Sequence, residues 1–241
     1  MLDVGHVLYG SQNLNLDGPE SDKDYKVLLC PEAEDFYFYK KVEKNDVPKY
    51  LDKEHYSPMD VRKFDELVRA GNPNCLEMLW SKEYEDLYLD LDTYMDEALC
   101  LFESGYLVTV FPKFFSAVKG VVFNSLERYG LNRKTASRAL FWETFVERVV
   151  HNNFVVRPEF WNCEAARRLR FFEELKLPTL EDFKHNFEVL EKWFVPRAEE
   201  AYLALSEAEL LYYKEAAAHL QERMKQFVFG NLRKELVDNR Y

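Results

Sequence analysis

The chain has no Cys-x-x-Cys pair; its four cysteines, Cys30, Cys75, Cys100 and Cys163, are scattered over 241 residues. That spacing argues against a zinc site and a disulfide framework, and it suits a reducing cytosol. The five histidines form no pair at helical spacing, and His6 and His151 read as structural. Positive charge is in deficit: 32 Lys and Arg stand against 43 Asp and Glu, for a formal net charge of −11 and a pI near 5.1. Phosphate-backbone binding is driven by clustered cations, so a polynucleotide substrate would need a local basic patch. The one dense candidate, Arg167, Arg168 and Arg170 in EAARRLRFFEEL, reads as the exposed face of an amphipathic helix. No apolar run approaches the roughly 20 residues that span a bilayer, and the N-terminus, with Asp3, lacks a basic-then-apolar leader. Internal repeats and low-complexity tracts are absent too. The expectation is a soluble, cytoplasmic protein without a membrane partner.

What is present suffices for a buried core: 47% of the residues are hydrophobic and 16% aromatic, in a chain long enough for one large domain or two modest ones. The first part reads as mixed and the rest as helical. Strands are expected at Val4–Tyr9, Asp24–Leu29, Phe36–Lys40 and around Lys53–Ser57. Asp60 is a good cap for a helix over Val61–Ala70 with Gly71 as its stop, and Asn72-Pro73-Asn74 breaks the chain before a short helix over Cys75–Trp80. From about Leu91 onward helical periods dominate. Expected helices are Lys113–Tyr129, with Pro112 in its first turn and Gly130 closing it, then Arg133–His151, Glu164–Leu175, Leu180–Trp193 and Arg197–Lys225, with breaks at Pro178 and Pro196.

The most informative stretch is GSQNLNLDGPESDKDYKVLLCP, from Gly10 to Pro31. A small turn, Gly10-Ser11, follows the first strand, and two carboxylates, Asp22 and Asp24, stand one residue apart. Alternation along a strand puts both on one face, where they are able to share a cation. Backbone N–H groups at such a turn suit phosphate. A phosphate cradle facing paired carboxylates is the minimum equipment for moving a nucleotidyl group. Asp90-Leu91-Asp92 has the same carboxylate pattern but no Gly-Ser turn upstream, and reads as a solvated face or a helix start.

Hydrophobic strand, Gly10-Ser11, a short spacer and Asp22-x-Asp24 together resemble the DNA polymerase β-like nucleotidyltransferase superfamily. Ser21, Tyr25 and the segment DVRKFDELVRAGNPNCLEML are similar to a branch of predicted nucleotidyltransferases found in RNA-repair operons and phage genomes. Asn15 stands where that branch usually has Gly, and Lys23 where the superfamily usually has an apolar residue. The resemblance implies an α+β fold: a small mixed-sheet nucleotidyltransferase core, residues 1–90, followed by a helical region, residues 91–241, that closes the nucleotide cleft. It implies Mg²⁺ or Mn²⁺ as cofactor and a nucleoside triphosphate as substrate, with Gly10 and Ser11 on the β- and γ-phosphates and Asp22 and Asp24 on the metal. The acceptor is left open between an RNA end, a protein hydroxyl and a small molecule.

Lys134 and Arg138 lie four apart on one helix face, and Lys-x-x-Ser there resembles the Lys-Ala-Ser-His-like helix of the same branch, which faces the triphosphate. The superfamily also places a third carboxylate on a neighbouring strand. Asp60 is the favoured candidate, with Glu54 second; Ser57 occupies a place where phage relatives often carry Asp. Two rival readings follow. One is a catalytically inactive nucleotidyltransferase-fold protein that binds a nucleotide or a partner as a regulator. The other is a mostly helical interaction protein in which the Asp-x-Asp is accidental.

Overall fold

Alternating burial makes the first two strands. In β1 (Leu2–Tyr9) and β2 (Lys23–Cys30), Val4, Val7, Leu28 and Cys30 enter the main core, while Val27 and Leu29 join a smaller cluster with Met1 and Tyr56 on the other face. The computed structural model describes residues 1–18, 21–37, 50–51 and 54–238. β1 and β2 pair antiparallel, with Tyr9 opposite Asp24. β4 (Glu54–Asp60) pairs parallel to β2, with Asp24 opposite His55. The short β3 (Tyr50–Leu51) lies outside β4, and β5 (Tyr84–Glu85) lies outside β1, so the sheet order is β3-β4-β2-β1-β5. The expected α+β architecture, a small mixed sheet followed by helices, is what the chain forms.

One expected strand is different. Phe36 and Tyr37 belong to a short helix, α1 (Ala33–Tyr37), whose first turn is fixed when Asp35 accepts from the Glu32 N–H at 3.3 Å and Glu235 accepts from the Ala33 N–H at 2.8 Å. Residues 38–40 and Lys53 lie outside the described residues. Then come α2 (Val61–Arg69) and α3 (Pro73–Leu79). Asp60 and Asn72 cap them through their side chains, and Gly71, at φ +68°, turns the chain between them. The Asp90-x-Asp92 carboxylates sit in the first turn of α4 (Leu89–Glu103), where they complement the helix dipole.

Prolines prove weaker punctuation than their chemistry suggests. α5 runs Leu107–Tyr129 with Pro112 inside it, and α8 runs Leu180–Leu203 with Pro196 inside it. Each forfeits a helix bond, but Phe111, Phe114, Phe187 and Phe194 beside them are wholly or almost wholly buried, and that packing carries the helix through. The break instead falls at Ser206: its hydroxyl accepts from the Glu209 N–H at 3.2 Å and Glu209 accepts from the Ser206 N–H at 2.8 Å. This reciprocal cap starts α9 (Glu207–Asp238). Between α5 and α8 lie α6 (Arg133–His151), as expected, and α7 (Glu164–Phe171), which stops four residues early. The Arg133 guanidinium takes the Leu169 and Leu175 carbonyls at 3.0 Å each and turns the chain away.

The buried apolar residues form one continuous cluster from the inner face of the sheet through α9. Trp142, Phe141 and Phe145 on α6 meet Trp161 at ring separations of 6.0, 6.2 and 4.7 Å. By length and composition α5 is apolar enough to cross a membrane. Its Leu107, Phe111, Phe114, Val118 and Val122 face the protein core, and it packs on α6 and α8.

Gly120 tests the helix assignment. It lies within α5, and a Cβ there would meet no atom within 4 Å. Gly120→Ala is expected to stabilise the protein by about 1 kcal/mol in urea denaturation, because glycine wastes backbone entropy in a helix. A destabilised variant would contradict the open space seen at this position.

Candidate functional site

β1 delivers the chain into a turn that only glycine fits. Gly10 has φ +85°, and a Cβ on it would lie 3.0 Å from Asp24 Oδ2. The turn closes through Leu14 N–H to the Gly10 carbonyl, 3.1 Å, and Leu16 N–H to the Ser11 carbonyl, 2.7 Å. Asn15 takes φ +56°, the left-handed conformation that asparagine accepts better than most residues. Leu14 and Leu16 are buried, so the turn is anchored by its own apolar side chains. From below, α3 straps it: Glu77 accepts from the Gly10 N–H, and buried Asn13 donates to the Glu77 carbonyl at 3.0 Å while accepting from the Lys82 N–H at 3.0 Å.

Across from the turn, Asp22 and Asp24 flank one imidazole. His55 Nε2 lies 3.4 Å from Asp22 Oδ2, and His55 Nδ1 lies 3.4 Å from Asp24 Oδ1. Lys23, between them in sequence, alternates to the other face and pairs with Glu83 at 2.9 Å. It therefore leaves the carboxylates uncontested. The third wall is the start of α6, where Asn132 and Thr135 cap each other. Lys134 and Arg138 are one turn apart on that helix. Tyr9, Gly10, Ser11, Asp24, Lys134 and Arg138 line a single cavity of about 560 Å³. Five of the residues singled out from sequence meet there, and Asp22 joins through His55.

Asp60 and Glu54 do not reach it. In the parallel register Asp24 faces His55 while Asp60 faces Leu29, about 16 Å further along at 3.3 Å per residue. Asp60 is the cap of α2, accepting from the Arg62 N–H at 2.8 Å and from Arg62 Nε at 3.0 Å. Glu54 alternates to the opposite face, where it accepts from the Tyr56 hydroxyl at 2.6 Å. That face also holds Tyr25, stacked on Tyr56 with ring centroids 5.4 Å apart. The expectation of a third carboxylate at Asp60 or Glu54 is corrected by strand parity and register. On the site's own face β4 presents His55 and Ser57.

His55 and Glu77 belong to the site in addition to the residues expected from sequence. His55 follows from alternation once β4 is in register. Glu77 carries a plainer signal, a lone charge inside the apolar run Cys75-Leu76-Glu77-Met78-Leu79. It is wholly buried, and burial pushes its carboxyl up to about 7 against the pull of Arg138 and the Gly10 N–H. Arg138 stands 3.9 Å away. Among the described residues, Glu77 Oε2 and Arg138 Nε are buried without a hydrogen-bond partner. Burial also raises Asp24, although His55, Lys134 and Arg138 favour its charged form.

Among the described residues no group of three or more His, Cys, Asp or Glu is arranged to hold a metal ion by itself. Two carboxylates with a wall of cations opposite suit a divalent ion that arrives with phosphate oxygens, since hard cations prefer oxygen ligands. Comparison of the chain with family models, with curated proteins and with solved structures finds no match.

The buried Glu77 gives a pH signature. Its folded pKa, about 7, is raised above the ordinary 4.5, so the folded state favours the protonated form. Its contribution to stability is greatest below about pH 4.5 and is lost as pH rises to about 7. Glu77→Gln lacks this loss. In urea denaturation the variant should gain on wild type across that window, by on the order of 3 kcal/mol at 1.36 kcal/mol per unit. Parallel stability curves from pH 4.5 to 7 would show that Glu77 is not held protonated.

Proposed function

We propose that the protein is a metal-dependent nucleotidyltransferase that moves a nucleoside monophosphate from a nucleoside triphosphate to an acceptor hydroxyl. The observation that carries this reading is the convergence of the Gly10-Ser11 turn, Asp24 and the Lys134/Arg138 face on one cavity of about 560 Å³. In this proposal residues 1–90 form the catalytic core and the helical region from residue 91 closes the cleft. The protein acts in the cytoplasm, where its four free thiols suit a reducing environment.

The Gly10 and Ser11 turn cradles the β- and γ-phosphates, and Lys134 and Arg138 neutralise their charge from the start of α6. The Arg138 guanidinium lines the cavity and offers charged N–H donors of the kind that suit phosphate oxygens. Asp22 and Asp24 would hold Mg²⁺ or Mn²⁺, which supplies Lewis-acid polarisation of the α-phosphate and charge relief for the leaving group. The acceptor oxygen forms the new bond to the α-phosphorus, and the bond to the β-phosphate bridging oxygen breaks. Pyrophosphate departs along the cationic wall, and the hydroxyl proton passes to water at the exposed edge beside Asp22.

A second reading draws on one observation: the site face of β4 carries His55 and Ser57 where a third carboxylate would stand. In it the fold binds a nucleotide without turnover, as a regulator. Transfer of a labelled α-phosphate from each common triphosphate separates the two, because both bind nucleotide with metal and only one yields product.

Asp22→Asn and Asp24→Asn should each weaken Mg²⁺-dependent triphosphate binding at least about tenfold, or about 1.4 kcal/mol, in a thermal-shift titration. The fold should survive both. Asp60→Asn should bind and transfer like wild type, since asparagine caps a helix almost as well. Replacing Lys134 and Arg138 together with alanine should cost triphosphate affinity more than nucleoside affinity, because a nucleoside carries no phosphate charge. Unchanged metal dependence in both Asp variants would sink the assignment.

A further inference from the structure

α7 lies along the rim of the cavity. Arg170 Nε donates to the Leu16 carbonyl at 3.3 Å, and Leu16 is a wall of the cavity. The Phe171 ring stands 3.6 Å from where a side chain on Gly18 would begin. Ala166 and Leu169 are buried on the inner side of the helix, which packs against α6. Its outer side carries exposed Arg167 and Arg168 and then Phe171 and Phe172, 41% and 47% exposed. Arg168 lies over the Phe172 ring at 5.9 Å. Helical spacing puts Arg167, Arg170 and Phe171 on one side, toward the 10–18 turn.

A solvated helix face accounts for exposed arginines, but it leaves two adjacent exposed phenylalanines unexplained. Arginines interleaved with open aromatic rings are what single-stranded nucleic acid uses: phosphates pair with guanidinium groups, and bases stack on the rings. The patch also continues the cationic wall, since Arg133, next to Lys134, ties the α7 carbonyls to α6. Glu173 and Glu174 follow the rings in sequence. In a chain of net charge −11 the attraction is local, acting within a Debye length of about 8–10 Å.

We propose that the outer face of α7 docks the end of a single-stranded nucleic acid, with backbone phosphates on Arg167 and Arg168, bases on Phe171 and Phe172, and the terminal hydroxyl entering the cavity past Leu16. That this strand is the acceptor rests on the nucleotidyltransferase reading; that it docks does not.

The test is fluorescence anisotropy with a labelled 12-nucleotide single-stranded RNA, the DNA of the same sequence and the blunt duplex, without metal or triphosphate, using the full chain. Wild type should bind the single strands more tightly than the duplex, whose bases are not free to stack. Phe171→Ala with Phe172→Ala should weaken single-strand binding about tenfold or more. Arg167→Ala with Arg168→Ala should weaken it and flatten its dependence on salt by one to two phosphate contacts. All four side chains are exposed, and circular dichroism would check that the variants stay folded. No single-strand binding by wild type at 50 mM salt, or undiminished binding in both double variants, would overturn the proposal. So would a poly-glutamate peptide that competes with the strand as well as unlabelled strand does, because charge alone would then account for binding. If docking behaves as expected but no strand receives a labelled nucleotide, the docking face stands and the enzymatic reading fails. If wild type and both variants label a strand equally, transfer stands and the docking face falls.

Discussion

The site depends on one buried carboxylate. Glu77 has no exposed surface, accepts the Gly10 N–H and faces Arg138 at 3.9 Å, so the turn after β1, α3 and α6 meet at a single side chain. Burying a charge this completely is costly unless partners compensate it, and the compensation here is incomplete: one Glu77 oxygen and Arg138 Nε lack partners among the described residues. The arrangement makes sense as a compromise between stability and binding. Glu77 engages one side of a guanidinium whose five N–H donors leave others to the cavity it lines, and without that carboxylate Arg138 would be an unpaired charge on the cavity wall.

From that clamp the rest of the geometry follows. Glu77 also fixes Asn13 through its carbonyl, and Asn13 in turn receives the Lys82 N–H, so the chain entering β5 is tied to the same turn. Asp24 sits so close behind Gly10 that a methyl group there would meet its carboxylate at 3.0 Å. The distance between the turn and the carboxylates is thus set by the absence of a side chain. The sheet then sorts charge by parity. Asp22, Asp24 and His55 share one face, while Lys23, Glu54 and Glu83 occupy the other, where Tyr25 donates to Glu83 at 2.6 Å.

How much of this was legible in the chain depends on how local each determinant is. Gly10, Asn15, the Asp60 cap and the span Arg133–His151 follow from conformational or capping preferences of a few residues, whereas α3 begins at Pro73 under an Asn72 cap, where the sequence suggests only a break before Cys75. The third carboxylate needed the register of β4 on β2, which no local signal supplies, and a one-residue slip reverses every side chain. The family resemblance of the Asp60 segment and the place of Glu54 on the expected strand point to those two residues, and parity and register put both away from the site. Pro196 does not break its helix, and α5 begins more than a turn before Pro112, because aromatic packing beside each proline outweighs one lost bond. The true break at Ser206 carries its own local mark, Ser-x-x-Glu over Ser206–Glu209.

The net charge of the chain is a poor guide to its surface. Acidic residues stand on the exposed first turn of α4, while Lys134 and Arg138 line the cavity and Arg170 bonds the Leu16 carbonyl at its rim. Low-dielectric walls strengthen the field of whatever charges line a cavity, so Lys134 and Arg138 opposite Asp24 weigh more there than the net charge suggests. A net charge of −11 therefore coexists with a local pair of cations on the cavity wall.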